Sequence, residues 1–231
     1  MKIEFQHTAI GYQSAFIQDI CLAAESPMLV GLVGDNGVGK STLLRTICGL
    51  VPPLSGEIAF NGTPLSQLDT NTLSRYITFL PNSKSFYLNL TVQELLSLSA
   101  ETNTLFRVDA KSLSSYVLEL ISLFGLEDFK QRKLVSLSDG QYQLVSIVFA
   151  LARQTEIVLL DEPLAFLDFN NRKRFMEIFA ELVQKENRLI IFSSHDLAVL
   201  HKCNQLWHLS NKELTVVNEQ DISIFCRQLM A

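Results

Sequence analysis

Residues 28–33, MLVGLV, form an unbroken apolar run that ends at a glycine. Such a run suits a strand buried on both faces of a largely parallel sheet. Similar short apolar stretches predict strands at residues 3–5, 16–22, 57–60, 76–80, 157–160 and 188–192. Asn61-Gly62 follows one of them as a turn signal. Residues 40–48 read as a helix closed by Gly49 and the pair Pro52-Pro53.

From residue 91 to 125 the period becomes helical, with Leu113, Val117, Leu120, Ile121 and Phe124 on one face and Gly125 as the stop. A second amphipathic helix spans 171–185, where Phe175, Ile178, Phe179, Leu182 and Val183 make the apolar stripe. Residues 205–209 and 213–217 predict a hairpin turning at Asn211-Lys212, followed by a short last helix. Strands alternating with helices imply an α/β fold with a mostly parallel sheet, and the middle third reads as an inserted helical subdomain.

At 231 residues the chain is long enough for one well-buried domain. A net charge of −5 argues against nucleic acid as the main partner. Cys21, Cys48, Cys203 and Cys226 are scattered without a C-x-x-C pair, which predicts core thiols in a reducing compartment. The first residues carry no secretory pattern and no window approaches the roughly 20 apolar residues of a membrane span, so a soluble intracellular protein is expected.

Residues 34–42, GDNGVGKST, fit G-x-x-x-x-G-K-[ST] after a strand and before a helix. The loop Gly34, Asp35, Asn36, Gly37, Val38, Gly39 curls its N–H groups toward phosphate oxygens, and the glycines allow close approach. Lys40 sets a positive charge against the terminal phosphates, Ser41 is a Mg²⁺ ligand, and Thr42 continues the helix start aimed at the same anion. The ligand expected from the loop alone is a nucleoside triphosphate.

Residues 157–163, IVLLDEP, deliver Asp161 and Glu162 at the carboxyl end of a buried strand. Asp161 suits Mg²⁺, and Glu162 suits polarisation of the attacking water. LSDGQ, residues 137–141, starts an apolar helix: Ser138 is a good N-cap, and Asp139, Gly140 and Gln141 complete an anion-binding turn. LAFLD follows at 164–168, and His195 appears in SSHD after a strand, placed to contact the γ-phosphate or orient water.

In this order the motifs resemble the ABC ATPase family over nearly the whole chain. LSDGQ stands for the family's LSGGQ signature, and His195 for its switch histidine. The resemblance implies a P-loop, RecA-like core with an N-terminal antiparallel β subdomain. It divides the chain into a core of about 1–84 and 146–231 and a helical subdomain of about 85–145. Tyr12 sits where the family places an aromatic that stacks on adenine; ordinary strand filling is the competing reading. The resemblance also implies a two-fold pair in which each signature closes over the partner's γ-phosphate, so that ATP joins two copies.

Two places depart from the pattern. In YITFLPN, Asn82 replaces the family's glutamine, which reaches Mg²⁺ and the γ-phosphate. The helix after the signature carries Tyr142, Leu144 and Phe149 where arginines are common, which reads as repacking. A single unit with no coiled-coil insertion implies transport with separate transmembrane permease subunits and, indirectly, a substrate-binding protein. The chain is then expected at the inner face of the cell membrane. LLDEP, LAFLD and FSSHD…LWHL look like importers of iron chelates, haem or cobalamin; an exporter subunit or a soluble regulatory ATPase are the alternatives.

Overall fold

The computed structural model describes residues 1–83, 89–101 and 110–230. The chain begins with strands β1 (Lys2–Gly11), β2 (Ala15–Glu25) and β3 (Met28–Gly34), then helix α1 (Lys40–Ile47). Strands β4 (Ser55–Phe60) and β5 (Thr63–Pro64), helix α2 (Thr70–Tyr76) and strand β6 (Ile77–Leu80) follow. Helices α3 (Val92–Glu101), α4 (Ala110–Leu123) and α5 (Asp139–Ala152) precede β7 (Ile157–Leu160), α6 (Phe169–Glu186) and β8 (Leu189–Ser193). The hairpin β9 (Gln205–Ser210) and β10 (Glu213–Asn218) leads to α7 (Glu219–Met230).

Two sheets result. The larger has the order β10-β9-β3-β8-β7-β6, parallel except for the β9/β10 hairpin. The smaller is antiparallel, in the order β2-β1-β4-β5. Side chains alternate between two cores along each central strand, as the period-two geometry of a strand requires. Val158, Leu160, Ile190 and Phe192 join α3, α4, α5 and α6 on one face. Ile157, Leu159, Leu189 and Ile191 join α1 and the antiparallel sheet on the other. Trp207 is fully buried there, its indole edge-on to Phe5 at 5.9 Å between ring centroids.

Most predicted strands and helices are present, some of them longer. β1 extends from the expected 3–5 to Gly11 because a bulge around His7 lets it keep pairing with β2. Asn61-Gly62 and Asn211-Lys212 make their turns with left-handed backbone at both residues. The helical stripe of α4 buries Val117, Leu120, Ile121 and Phe124, while the side chain of Leu113 lies outside the described residues. So does the expected subdomain boundary near residue 85.

Helix α2 is unanticipated. Its short run is set by Asp69, whose carboxylate accepts the Thr72 N–H at 2.7 Å as an N-cap. All four cysteines are free. Cys203 and Cys226 are buried as expected, Cys48 is half-buried, and Cys21 is exposed on β2, correcting its placement in the core. The apolar residues after the signature are packed inward: Tyr142, Val145, Ile147 and Val148 are buried. Among the described residues no helix is long and apolar enough to cross a membrane.

Candidate functional site

Strands β3, β8 and β7 lie side by side and run the same way, so their carboxyl ends share one edge of the sheet. That edge collects the loop after Gly34, the segment Ser193 to His195, and the pair Asp161 and Glu162. The next strand, β6, ends in the same direction, and Asn82 is exposed on the bend beyond it. Ligands in open α/β sheets bind at this edge.

Gly34 has φ of +146°, and a methyl group there would come within 2.4 Å of the Leu209 carbonyl oxygen on β9. Only glycine fits that close approach. Gly39 occupies the N-cap of α1 with no side-chain acceptor, which leaves the first N–H groups of the helix pointing at the loop's hollow. Lys40 is buried, and its Nζ donates to the Gly34 and Asp35 carbonyls at 2.7 and 3.1 Å. The loop thus concentrates N–H groups and one ammonium in a small volume, which suits a polyphosphate.

Asp161 is buried at the end of β7 and accepts a hydrogen bond from Ser193 Oγ at 2.8 Å. The same hydroxyl accepts the backbone N–H of Glu162 at 2.8 Å. Glu162 has φ of +49°, a left-handed conformation that costs a non-glycine residue about 1–3 kcal/mol. Ser193 holds the backbone in that state, and the Glu162 side chain turns toward His195. Glu162 Oε2 lies 3.0 Å from His195 Nδ1, a hydrogen bond when the proton is on Nδ1. The carboxylate is largely covered at 14% exposure, while the imidazole is 59% exposed and open to an incoming group.

Ser138 caps α5 in a reciprocal box: its Oγ accepts the Gln141 N–H at 3.3 Å, and Gln141 Oε1 accepts the Ser138 N–H at 3.1 Å. Asp139 and Gly140 fill the first turn. Tyr12 stands at the β1–β2 turn, half exposed, edge-on to Phe16 at 6.1 Å and accepting from Arg45 Nη1 at 3.4 Å. Asp168 caps α6 by accepting the Asn171 N–H at 2.9 Å. That bond holds its carboxyl below the usual carboxylate range.

Sequence reasoning missed three participants. Ser193 joins Asp161 to Glu162, Phe16 packs against Gly39, and Arg172 contacts both the 164–168 loop and Asp196. None carries a local signal, because each acts on residues distant in the chain. The donors fit ATP and Mg²⁺ on two observations: an uncapped helix start beside a buried lysine, and a buried carboxylate at the adjacent strand end.

A family model described as ABC transporter matches residues 17–165. An uncharacterised ABC transporter ATP-binding protein of Haemophilus influenzae is 36% identical over 85% of this chain and 75% of its own length. An ATP-binding protein assigned to a siderophore transport system of Bacillus subtilis is 32% identical over 90% of this chain and 75% of its own length. A cobalamin import ATP-binding protein of Halobacterium salinarum is 32% identical over 82% of this chain, which spans only 48% of that relative. A solved ATP-binding subunit of an ABC transporter superposes with a TM-score of 0.84 at 27% identity, covering 100% of this chain and 94% of that one.

Proposed function

The chain belongs to the ABC transporter ATP-binding family, and on that premise we propose that it binds and hydrolyses ATP as a pair of identical copies to drive import of a metal chelate. One observation carries the paired reading. α1 packs on one face of the central sheet and α5 on the other; α1 starts just beyond the end of β3, and the start of α5 at Gly140 lies against Phe166, just beyond the end of the parallel strand β7. One chain therefore aims its two anion-binding helix starts from opposite faces, and a second copy related by a two-fold axis supplies the missing one to each nucleotide.

In this reading Gly34 to Thr42 hold the phosphates, and Ser138 to Gln141 close over the partner's nucleotide. Ser41, Asp161 and Asn82 hold Mg²⁺, which neutralises charge on the phosphate oxygens when bound. Glu162 accepts a proton from the attacking water, and His195 fixes the Glu162 carboxylate in place. Tyr12 and its neighbour Phe16 offer aromatic surface for the base. Residues 85–145 form the helical subdomain, with the remainder as the core. Each phosphate-bridged closure and its release make a two-state switch for a transmembrane permease, which holds the chain at the inner membrane face and takes cargo from a substrate-binding protein.

The siderophore and cobalamin assignments of the relatives support a metal-chelate cargo. Uptake of radiolabelled ferric siderophore, haem and cobalamin by cells lacking the chain tests it. Loss of one uptake, restored by the intact chain and not by Glu162→Gln, is expected. Unchanged uptake of all three overturns the import reading. Detergent extracts in which the tagged chain brings down no membrane protein overturn the transport reading altogether.

A further inference from the structure

Arg172 lies in the first turns of α6, and its guanidinium joins the 164–168 loop to the His195 segment. Its Nε donates to the Leu167 carbonyl at 2.7 Å, and its Nη2 reaches the Ala165 carbonyl at 3.4 Å. Its Nη1 donates to Asp196 Oδ2 at 2.7 Å. One rigid, planar fork thus fixes two loop carbonyls relative to the residue that follows His195. Lysine, a single point charge on a flexible stem, cannot hold three acceptors in that plane.

Asp196 is itself immobilised. Its second carboxylate oxygen accepts the Ala198 N–H at 3.0 Å, and its own N–H donates to Ser194 Oγ at 3.0 Å. The contacts continue at both ends. A methyl group on Gly140 would lie 3.0 Å from the Phe166 carbonyl oxygen, so the start of α5 rests closely on the loop. At the other end His195 meets Glu162 at 3.0 Å. The Arg172–Asp196 pair is about one-quarter exposed, at 26% and 23%, and an ion pair so open adds little to folding stability. Its geometry is what remains for it to contribute.

We propose that Arg172 is a positioning residue that transmits the state of the Ser138–Gln141 turn to the Glu162–His195 pair of the same chain. The inference rests on the paired reading above, in which that turn serves the partner's nucleotide while Glu162 serves the chain's own. Displacement of the turn by a phosphate then moves the 164–168 loop, and the guanidinium carries the movement to Asp196 and His195. The two nucleotide sites are coupled through each chain as well as across the interface.

The test uses the full-length chain and three variants: Arg172→Lys, Asp196→Asn and the double substitution. Turnover, KM for ATP, direct ATP affinity and the thermal midpoint are measured for each. Both single variants are expected to lose about tenfold in kcat with KM and ATP affinity within about twofold, and the double to lose no more than the worse single, because both break one link. A multiplicative loss in the double, or a kcat loss that merely follows the thermal midpoint, overturns the inference. If Glu162→Gln stays monomeric with ATP, the paired reading fails and the coupling with it. A stable ATP dimer together with unchanged turnover in both single variants overturns the role of Arg172 alone.

Discussion

His195 Nδ1 stands 3.0 Å from Glu162 Oε2, joining the ends of β8 and β7 at the sheet edge where the loop after Gly34 also lies. The pair gives the Glu162 carboxylate a fixed direction despite its unfavourable backbone, as the proposed water-polarising role requires. Glu162→Gln keeps the shape and removes the basicity. ATP affinity should stay near normal while turnover falls by about 100-fold or more, the usual span for a general base. Light scattering should then show a long-lived dimer with ATP. Near-normal turnover in the purified variant would remove Glu162 from the water-polarising role.

Lys40 is held against the Gly34 and Asp35 carbonyls, inside the loop. Lys40→Ala removes the ammonium without disturbing the glycine positions. A lost charge-assisted bond is worth about 1.5–3 kcal/mol, so ATP affinity should weaken roughly 10- to 100-fold. Direct titration with a fluorescent nucleotide measures it; an unchanged affinity contradicts the assignment of the loop.

Asn82 is exposed on the bend after β6, one methylene shorter than the glutamine of the family pattern. In the proposed ligand role, reach toward Mg²⁺ and the γ-phosphate is shortened by that methylene. Asn82→Gln should therefore hydrolyse ATP faster, with the gain in kcat and little change in KM. A rate equal to or below that of the unaltered chain counts against a ligand role for this position.

Away from the site, Arg188 is buried on β8's entry, where it pairs with Glu186 at 2.6 Å and donates to the Leu151 carbonyl at 2.9 Å. Tyr116 of α4 donates to the same Glu186, and burial pushes its phenol far above the ordinary range. Glu186→Ala strands the buried guanidinium, so denaturant unfolding should show a loss of about 3–5 kcal/mol. Replacing Glu186 and Arg188 together with leucine and methionine should recover most of it. A loss in the double as large as in the single would show that the charge was never stranded.

Asp69, Glu94 and Asp168 are each held below the ordinary carboxylate range, chiefly by the backbone N–H groups of Thr72, Thr91 and Asn171. A depressed folded value means the unfolded chain binds protons first as pH falls. Their contribution is complete above the unfolded value, near about pH 4, and disappears as pH drops through the folded values. Urea midpoints should fall between about pH 5 and about pH 3, and Asp168→Asn should make that fall shallower. An identical acid limb in the variant would exclude Asp168 from it.

The local structure of the Gly34–Thr42 loop, the IVLLDEP strand and the turn at Ser138–Gln141 was legible in the sequence because each is built from consecutive residues. Gly34, Gly39 and Lys40 act within a single turn, and Ser138 and Gln141 cap one another across three residues. Hydrophobic period likewise determined the buried strands and the stripes of α4 and α6. What the tertiary structure alone decided depends on groups far apart in the chain. Ser193 reaches Asp161 and Glu162 only because β8 lies beside β7, and Arg172 reaches Asp196 only because α6 starts at the edge where β8 ends. The opposite faces taken by α1 and α5, on which the paired reading rests, come from the winding of the sheet. A one-dimensional pattern records which residues are apolar or charged; the side of the sheet on which they finish is set by the crossovers between strands.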